Sequence, residues 1–454
     1  MKRSFLCIVV SILMCGQVFS QSWPAERVEA KAGVRWWWLG SAVNEQQLRQ
    51  SMQEYARADI GSMGYKWRKF NEINFVDINY RHTTYENWVP MASGLNSEVR
   101  LICQSQSDVL DAARRTNDYF MQKYSDPTEV TFVRNKKRPS NLWTRAVYYE
   151  GLMALYRIDP QQRYLDYTHR WADFHQWTPR HGIQTTHADD QCCEQTYIEY
   201  HLLNGQGSLA PTQENLAKQM ASGRIDYWTW IDAIQMAMPV YIKMYALTQD
   251  RQYLDYAMKC YNWTRNECGG GLFNTQEGLW WRDKDYVPPY KEVDGQNCYW
   301  SRGNGWVYAA LVRCLSLLPK TSQEYQALKK DFILMSEALL KCQHTDGFWR
   351  ASLVSSVTYP NPEMTGTSLF LYGMAWGIQN GLLKEKKYRP ACDLAWKALK
   401  TCVHDNGFLA WNQGTGKDPS AGQPVTFDSV PDFEDYGTGC FLLGLTEYYK
   451  LINR

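Results

Sequence analysis

The chain has 454 residues, a formal net charge of +2 at pH 7, 21% charged residues and 44% hydrophobic ones. That length can bury a large core, and its mixed charges argue against nucleic acid or a membrane surface as the main partner, since either needs a concentrated basic face. Twenty Trp and thirty Tyr are the strongest compositional signal, because aromatic faces stack on sugar rings.

At the N-terminus, Lys2 and Arg3 precede the apolar run FLCIVVSILMC, and Val18, Phe19 and Ser20 follow it as a cleavage region. Residues 1–20 are therefore expected to be a removed signal peptide. The residues before Cys15 are Leu13 and Met14, and Met is too large to precede a lipidated Cys. No later stretch is long and apolar enough to span a bilayer. The expectation is an exported protein, periplasmic or extracellular, without a membrane anchor.

Residues 21–103 read as an N-terminal extension of mixed structure. Within it, GVRWWWLGSAVNEQQLRQSMQEYARADIGSM (33–63) suggests a strand, a loop and one amphipathic helix ending at Gly61. The stretch resembles the first strand-helix unit of the (β/α)8 glycosidases that remove rhamnose, with the remaining units missing. No catalytic role is expected of it.

From residue 104 to 454 the chain reads as all-α. Leu142, Ala146, Tyr149, Met153 and Tyr156 hold the spacing of one helical face, as do Val307, Ala310, Cys314 and Leu318. Leu328, Phe332, Met335 and Leu339 form another face, behind a capping box of Thr321 and Glu324. Roughly eleven such segments are expected on this pattern. They also repeat: YRIDPQQRYLDYTHRWADF (156–174) matches YALTQDRQYLDYAMKCYNW (245–263), and HTDGFW (344–349) matches HDNGFLAW (404–411). Each of the second pair puts a Gly where a helix ends and the chain reverses. Repeated helical hairpins stack on one another, and about six of them, with Gly- and aromatic-rich loops at one end, favour closure into an (α/α)6 barrel.

Thirteen Cys show no CxxC spacing. The neighbours Cys192 and Cys193 read as small buried hydrophobes. Eight His contain no HxH or HExxH, so neither a metal nor another cofactor is expected.

In a ring of hairpins the inner helices bring their starts together, so polar residues there are candidate site residues. THADDQCCEQTY (186–197) offers Asp189 and Asp190, YWTWIDAIQMAMP (227–239) offers Asp232 beside Trp230, and CYWSRGNGWVYAALVRCL (298–315) offers Arg302 between Trp300 and Trp306. The structural alternative for each Asp is a helix cap worth about 1 kcal/mol. For Arg302 it is a solvated surface charge.

WIDAIQMAMP, WSRGNGW, GFWRASL, PEMTGTSLFLYGMAWGI and YGTGCFLLG together resemble glycoside hydrolase family 105, the unsaturated rhamnogalacturonyl hydrolases, in order and separation over about residues 104–450. The resemblance implies an (α/α)6 barrel with Asp232 as general acid/base and Asp190, rather than Asp189, as the second carboxylate. It further implies that Arg302 and Trp306 hold an unsaturated uronate, with Trp300 as a wall of the same pocket. The chain departs from the best-known pattern at Arg282 in GLWWRD, where a His is usual. For the pattern's basic residue upstream of the acid, Arg224 is the nearest candidate.

The function so implied is removal of a 4,5-unsaturated uronic acid from the non-reducing end of lyase-generated pectin (rhamnogalacturonan) oligosaccharides. The partner is then an unsaturated oligosaccharide. An unsaturated glucuronyl hydrolase on other lyase products is the alternative within catalysis. A non-catalytic carbohydrate-binding protein is the alternative outside it, and binding alone has no need of an acid among Trp and Ile. A sugar epimerase would favour paired His bases, and the candidate stretches hold only His187.

Overall fold

The computed structural model describes residues 33–38, 62–69, 72–79 and 97–454, with side chains from Asp108 onward. The expected signal peptide and the helix expected before Gly61 lie outside the described residues. In the N-terminal unit β1 (Gly33–Trp38) falls where the sequence predicts a strand. It pairs in parallel with β2 (Ser62–Lys69), and β2 pairs antiparallel with β3 (Glu72–Asn79). The sequence reading did not anticipate β2, although Met63, Tyr65 and Trp67 alternate there with Gly64, Lys66 and Arg68, the period of a strand.

The helical unit runs from Asp108 to Ile452. Among the described residues the chain forms twelve α-helices, one more than the sequence suggests. They are α1 (Ser97–Lys123), α2 (Trp143–Ile158), α3 (Gln162–Phe174), α4 (Ala188–Asn204), α5 (Ala210–Ser222) and α6 (Asp232–Thr248), then α7 (Arg251–Asn266), α8 (Ser301–Leu315), α9 (Gln323–Cys342), α10 (Met364–Gln379), α11 (Glu385–Lys400) and α12 (Asp435–Ile452). The only strands of this unit are three short ladders, including β4 (Thr131–Val133) with β5 (Lys136–Arg138) and β6 (Phe273–Asn274) with β7 (Leu279–Trp280) among the described residues. The third pairs β8 (Trp349–Arg350) with β9 (Pro362–Glu363).

The even-numbered helices α2, α4, α6, α8, α10 and α12 pack each on the next, and α12 packs on α2, which closes the (α/α)6 ring. Their composition explains their place. Every residue of α8 is buried, and so is α10 from Met364 to Ile378; a helix apolar on all sides has nowhere else to go. The outer helix α7 instead buries one stripe, with Tyr253, Leu254, Ala257, Cys260 and Tyr261 inward.

The repeated sequences occupy equivalent places. Each YLDY core opens an outer helix, α3 or α7, with its first Tyr, Tyr164 or Tyr253, buried. HTDGFW follows α9 and HDNGFLAW follows α11 with the same bonding: the His344 and His404 amides donate to Phe348 and Phe408, and the Gly347 and Gly407 amides donate back to the His carbonyls, all at 2.9 Å. Gly347 and Gly407 have φ of 91° and 93°. A Cβ on Gly347 would lie 2.4 Å from the Leu394 carbonyl oxygen of α11, and one on Gly407 would lie 2.4 Å from that of Arg115 in α1. The glycine thus serves both the turn and the approach to the next outer helix, and at Gly407 that next helix is the first of the ring. The cap of α9 is Ser322, whose hydroxyl accepts from the Tyr325 amide at 3.1 Å, one residue beyond the expected Thr321.

Below the inner-helix starts, the ring holds buried ions. Arg313 pairs with Glu150 at 2.7 Å, and Glu150 also accepts from Gln235 and from the Cys192 thiol. Cys192 and Cys193 are fully buried and free. Gly407→Ala is expected to destabilise the fold by about 2–4 kcal/mol, combining left-handed strain with the backbone clash. Gly381 has φ of 71° and open space around its Cβ position, so Gly381→Ala should cost only about 1 kcal/mol. Thermal unfolding of the two variants checks the difference.

Candidate active site

The starts of the inner helices meet at one end of the ring. Asp435, the first residue of α12, accepts from Thr144 and pairs with Arg145 of α2 at 3.2 Å. Trp143, the first residue of α2, sets its ring 6.2 Å from Trp306 of α8, edge to face, and 5.4 Å from Tyr436 of α12. Asp232 opens α6 within this assembly, and Asp189 and Asp190 lie in the first turn of α4.

Asp232 is 8% exposed. Burial raises its pKa, opposed first by the charge of Arg282 and then by that of Arg302. Arg282 donates from Nε to Asp232 Oδ2 at 3.2 Å and from Nη1 to Asp283 Oδ2 at 2.6 Å. The backbone fixes this register: the Ile231 amide donates to the Arg282 carbonyl at 2.9 Å, and Trp230 forms an antiparallel bridge with Asp283. The position that departs from the family pattern in sequence is therefore in direct contact with the acid.

The two acids of α4 have different surroundings. Asp190 is tied into its own loop, accepting from Thr185 Oγ1 at 2.6 Å, with His181 Nδ1 at 3.1 Å and Arg180 Nη1 at 3.3 Å. Asp189 is the residue whose charge couples to Asp232: its pKa is pushed up to about 7, by burial first, then by Asp232 and Asp190. Adjacent residues on a helix point about 100° apart, and the fold of 180–187 decides which of the two turns toward α6. His187 caps α4 by accepting from the Asp189 amide, and its ring lies 4.9 Å from that of half-buried Trp230. This sets Trp230 beside the first turn of α4.

Arg302 lies in the first turn of α8. It is 1% exposed, and Nη1 and Nη2 donate at 2.8 Å to the carbonyls of Gln413 and Gly414. Its guanidinium carbon lies 4.6 Å from the Trp300 ring and 4.9 Å from the Tyr436 ring. Both terminal nitrogens thus anchor the 413–414 loop, while Nε is buried without a partner among the described residues. Trp300 and Trp306, 1% and 0% exposed, offer no open ring face. Trp300 donates to Gln413 Oε1 at 3.0 Å and so supports the same loop. Arg224 lies outside the assembly, exposed and paired with Asp226 at 3.0 Å.

Sequence reasoning offered Asp189 but preferred Asp190, and it did not single out Trp143 or Tyr436. Both aromatic residues stand in the first turn of an inner helix, so the rule that pointed to Asp232 would have found them had the helix starts been fixed. Among the described residues no three His, Cys, Asp or Glu side chains gather as metal ligands would.

Residues 112–452 match the family described as Glycosyl Hydrolase Family 88. The chain is 33% identical over 334 residues to an unsaturated 3S-rhamnoglycuronyl hydrolase of Formosa agariphila, covering 68% of this chain and 84% of that one. It is 30% identical to the solved structure of a glycosyl hydrolase family 88 protein from Bacteroides vulgatus, with a TM-score of 0.69 over 76% of this chain and 99% of the other. A solved possible member of family 105 from Salmonella enterica, 18% identical, shares the fold with a TM-score of 0.60 over 76% and 94%. The kinship expected from the sequence motifs is met, and with it an enzyme that hydrolyses glycosidic linkages. The chain belongs to glycosyl hydrolase family 88.

Proposed function

We propose that this enzyme removes a 4,5-unsaturated uronic acid from the non-reducing end of oligosaccharides left by a polysaccharide lyase, with rhamnose as the neighbouring sugar. The observation that carries the reading is a buried acid, Asp232, with a second carboxylate beside it and an aromatic rim, at the converging helix starts of a family 88 ring. The Formosa agariphila relative, an unsaturated 3S-rhamnoglycuronyl hydrolase, supports the unsaturated uronate and the rhamnose. Export under a signal peptide at residues 1–20 belongs to the same proposal.

The unsaturated ring is an enol ether, so its reactive site is the C4=C5 bond. Protonated Asp232 gives its proton to C4, leaving a cation at C5 that the ring oxygen stabilises. Water adds at C5 while Asp232, now a carboxylate, accepts a proton from it. The resulting hemiketal opens to a C5 ketone, and C1 releases the rhamnose hydroxyl. One acid that donates and then accepts is sufficient. The glycosidase rule linking carboxylate separation to stereochemistry does not apply, because the alkene reacts first.

This chemistry needs Asp232 protonated near neutral pH. A helix N-terminus favours the anion by up to about 2 kcal/mol, and Arg282 and Arg302 act in the same direction. Burial acts against them, and the net direction is upward; the charge of Asp232 in turn helps to raise Asp189. Activity is then full below the pKa of the Asp232–Asp189 pair and falls as pH rises through it.

The test is loss of ultraviolet absorbance of the conjugated double bond when the protein meets the unsaturated disaccharide from a rhamnogalacturonan lyase, alongside an unsaturated 3S-rhamnoglycuronyl substrate. Absorbance loss with release of rhamnose is expected, and Asp232→Asn should slow it by about 10³-fold or more. Unchanged absorbance with measurable sugar binding would favour the carbohydrate-binding alternative. Asp189→Asn removes an anion beside Asp232, so the alkaline limb of the pH profile should move to lower pH by on the order of one unit. Asp190→Asn should leave that limb in place and instead lower thermal stability, since it loosens the 180–187 loop. N-terminal sequencing of exported protein should find a start at residue 21.

A further inference from the structure

Arg282 stands between two carboxylates. Its Nε donates to Asp232 Oδ2 at 3.2 Å, and its Nη1 donates to Asp283 Oδ2 at the shorter distance of 2.6 Å. Asp283 is 7% exposed, and its Oδ1 accepts from the Asp285 amide at 2.8 Å, so both of its oxygens are engaged. The backbone is pinned as well, by the Trp230–Asp283 bridge and by the Ile231 amide on the Arg282 carbonyl. With the chain fixed, the direction of the guanidinium is decided by its side-chain partners. Near Asp283 are the thiols of Cys268 and Cys298 and the Tyr286 hydroxyl, each kept neutral by burial, while Lys284 and Asp285 are exposed. Arg282 is therefore the cation that Asp283 holds.

We propose that Asp283 is a positioning residue for proton donation: it holds the second edge of the Arg282 guanidinium and so limits Arg282 to a single bond with Asp232. The proposal rests on the reaction assigned above. Nη2 shares an edge of the guanidinium with Nε, and such an edge matches the two oxygens of a carboxylate. Without Asp283, the guanidinium is free to turn this edge fully onto Asp232 and form the bidentate pair. Arginine keeps its charge at any working pH, so a pair of that kind would hold Asp232 as the anion and take away the proton that C4 needs. With Asp283 in place the cation is divided between two acids, and burial can still favour the protonated form of Asp232. The other charges that face Asp232 are Asp189 from α4 and Arg302 from α8. Both terminal nitrogens of Arg302 are committed to the Gln413 and Gly414 carbonyls, so its charge stays in place when Asp283 is changed, and Asp189 is carried by a separate element.

The test follows the alkaline limb of kcat/KM for the unsaturated disaccharide, which reports the free enzyme, in the wild type and in variants at 282 and 283. Asp283→Asn should move the limb to lower pH by about one unit, so that activity drops about tenfold above the wild-type limb and little below it. Arg282→Gln removes the cation and should move the limb the other way. In Arg282→Gln/Asp283→Asn the limb should stay within about half a unit of that in Arg282→Gln, because no guanidinium is left to redirect. Asp283→Glu keeps the charge and should hold the limb at the wild-type pH, even where it lowers thermal stability. A merely structural Asp283 would scale activity equally at every pH. An unmoved limb in Asp283→Asn, or an equal shift in the Arg282→Gln background, overturns the proposal. Should Asp283→Asn not fold, Asp283→Ser takes its place with the same expectation, since its hydroxyl can accept from the Asp285 amide. Should the wild type leave the absorbance of the sugar unchanged, the reaction itself fails. The hold of Arg282 on Asp232 is then read from the Asp232 carboxyl by carbon NMR against pH, with Asp232→Asn to identify its signal, and a midpoint that Asp283→Asn does not lower overturns the proposal.

Discussion

The convergence of six helix starts in a closed ring is the constraint on which the rest of the site depends. Each start presents unpaired amides and the positive end of a dipole to the same small volume, and water is largely excluded from it. The sequence answers with carboxylates. Glu363 caps α10 by accepting from the amides of Thr365 and Gly366. Asp435 pairs with Arg145 across the junction that closes the ring. Asp190 is held by the side chains of Thr185, His181 and Arg180. Each of these three is neutralised by local partners. Asp232 and Asp189 remain, and only Asp232 is bonded to a cation that is itself partly open. Architecture makes acids necessary at this end, and chemistry falls to the pair left least satisfied.

That pair is poised by opposing influences. A fully neutralised acid, such as one locked in a bidentate pair, would be ionised at all physiological pH and could not donate. An acid buried with no cation would hold its proton but could not become the carboxylate that accepts one from water. Two arginines on one side, burial and a second carboxylate on the other, keep both forms within reach. Arg302 contributes to this field from a fixed position while anchoring the 413–414 loop, so its charge and its structural role are inseparable.

The fold was largely legible in the sequence because its information is local and repeated. Helical faces, the YLDY cores and the two HxxGF turns each report on their own hairpin, and repetition fixes how hairpins stack. The site was legible only where the signal is local too: Asp232 stands out as one acid in an apolar helix start. The choice between Asp189 and Asp190 depends on how residues 180–187 fold back, and the role of Arg302 depends on carbonyls more than a hundred residues away. Neither dependence leaves a trace in spacing. Arg282 was visible as a departure from a pattern, but its contact with Asp232 comes from a bridge between two irregular segments.

The aromatic content reads differently in three dimensions. Composition suggested rings for sugar stacking, yet Trp171, Trp228, Trp280, Trp300, Trp306 and Trp349 are among the largest fully buried side chains. Most of the rings hold helices together, with Tyr149 stacked on Trp171 at 3.9 Å and Tyr308 on Phe332 at 4.8 Å. Close to Asp232, the half-buried rings of Trp143 and Trp230 are the ones with a face to offer. A site with so little open stacking surface has to discriminate its ligands by charge and hydrogen bonding. The lattice of buried rings serves that end indirectly, because a rigid, dry wall keeps the fields of Arg282 and Arg302 on Asp232 unscreened.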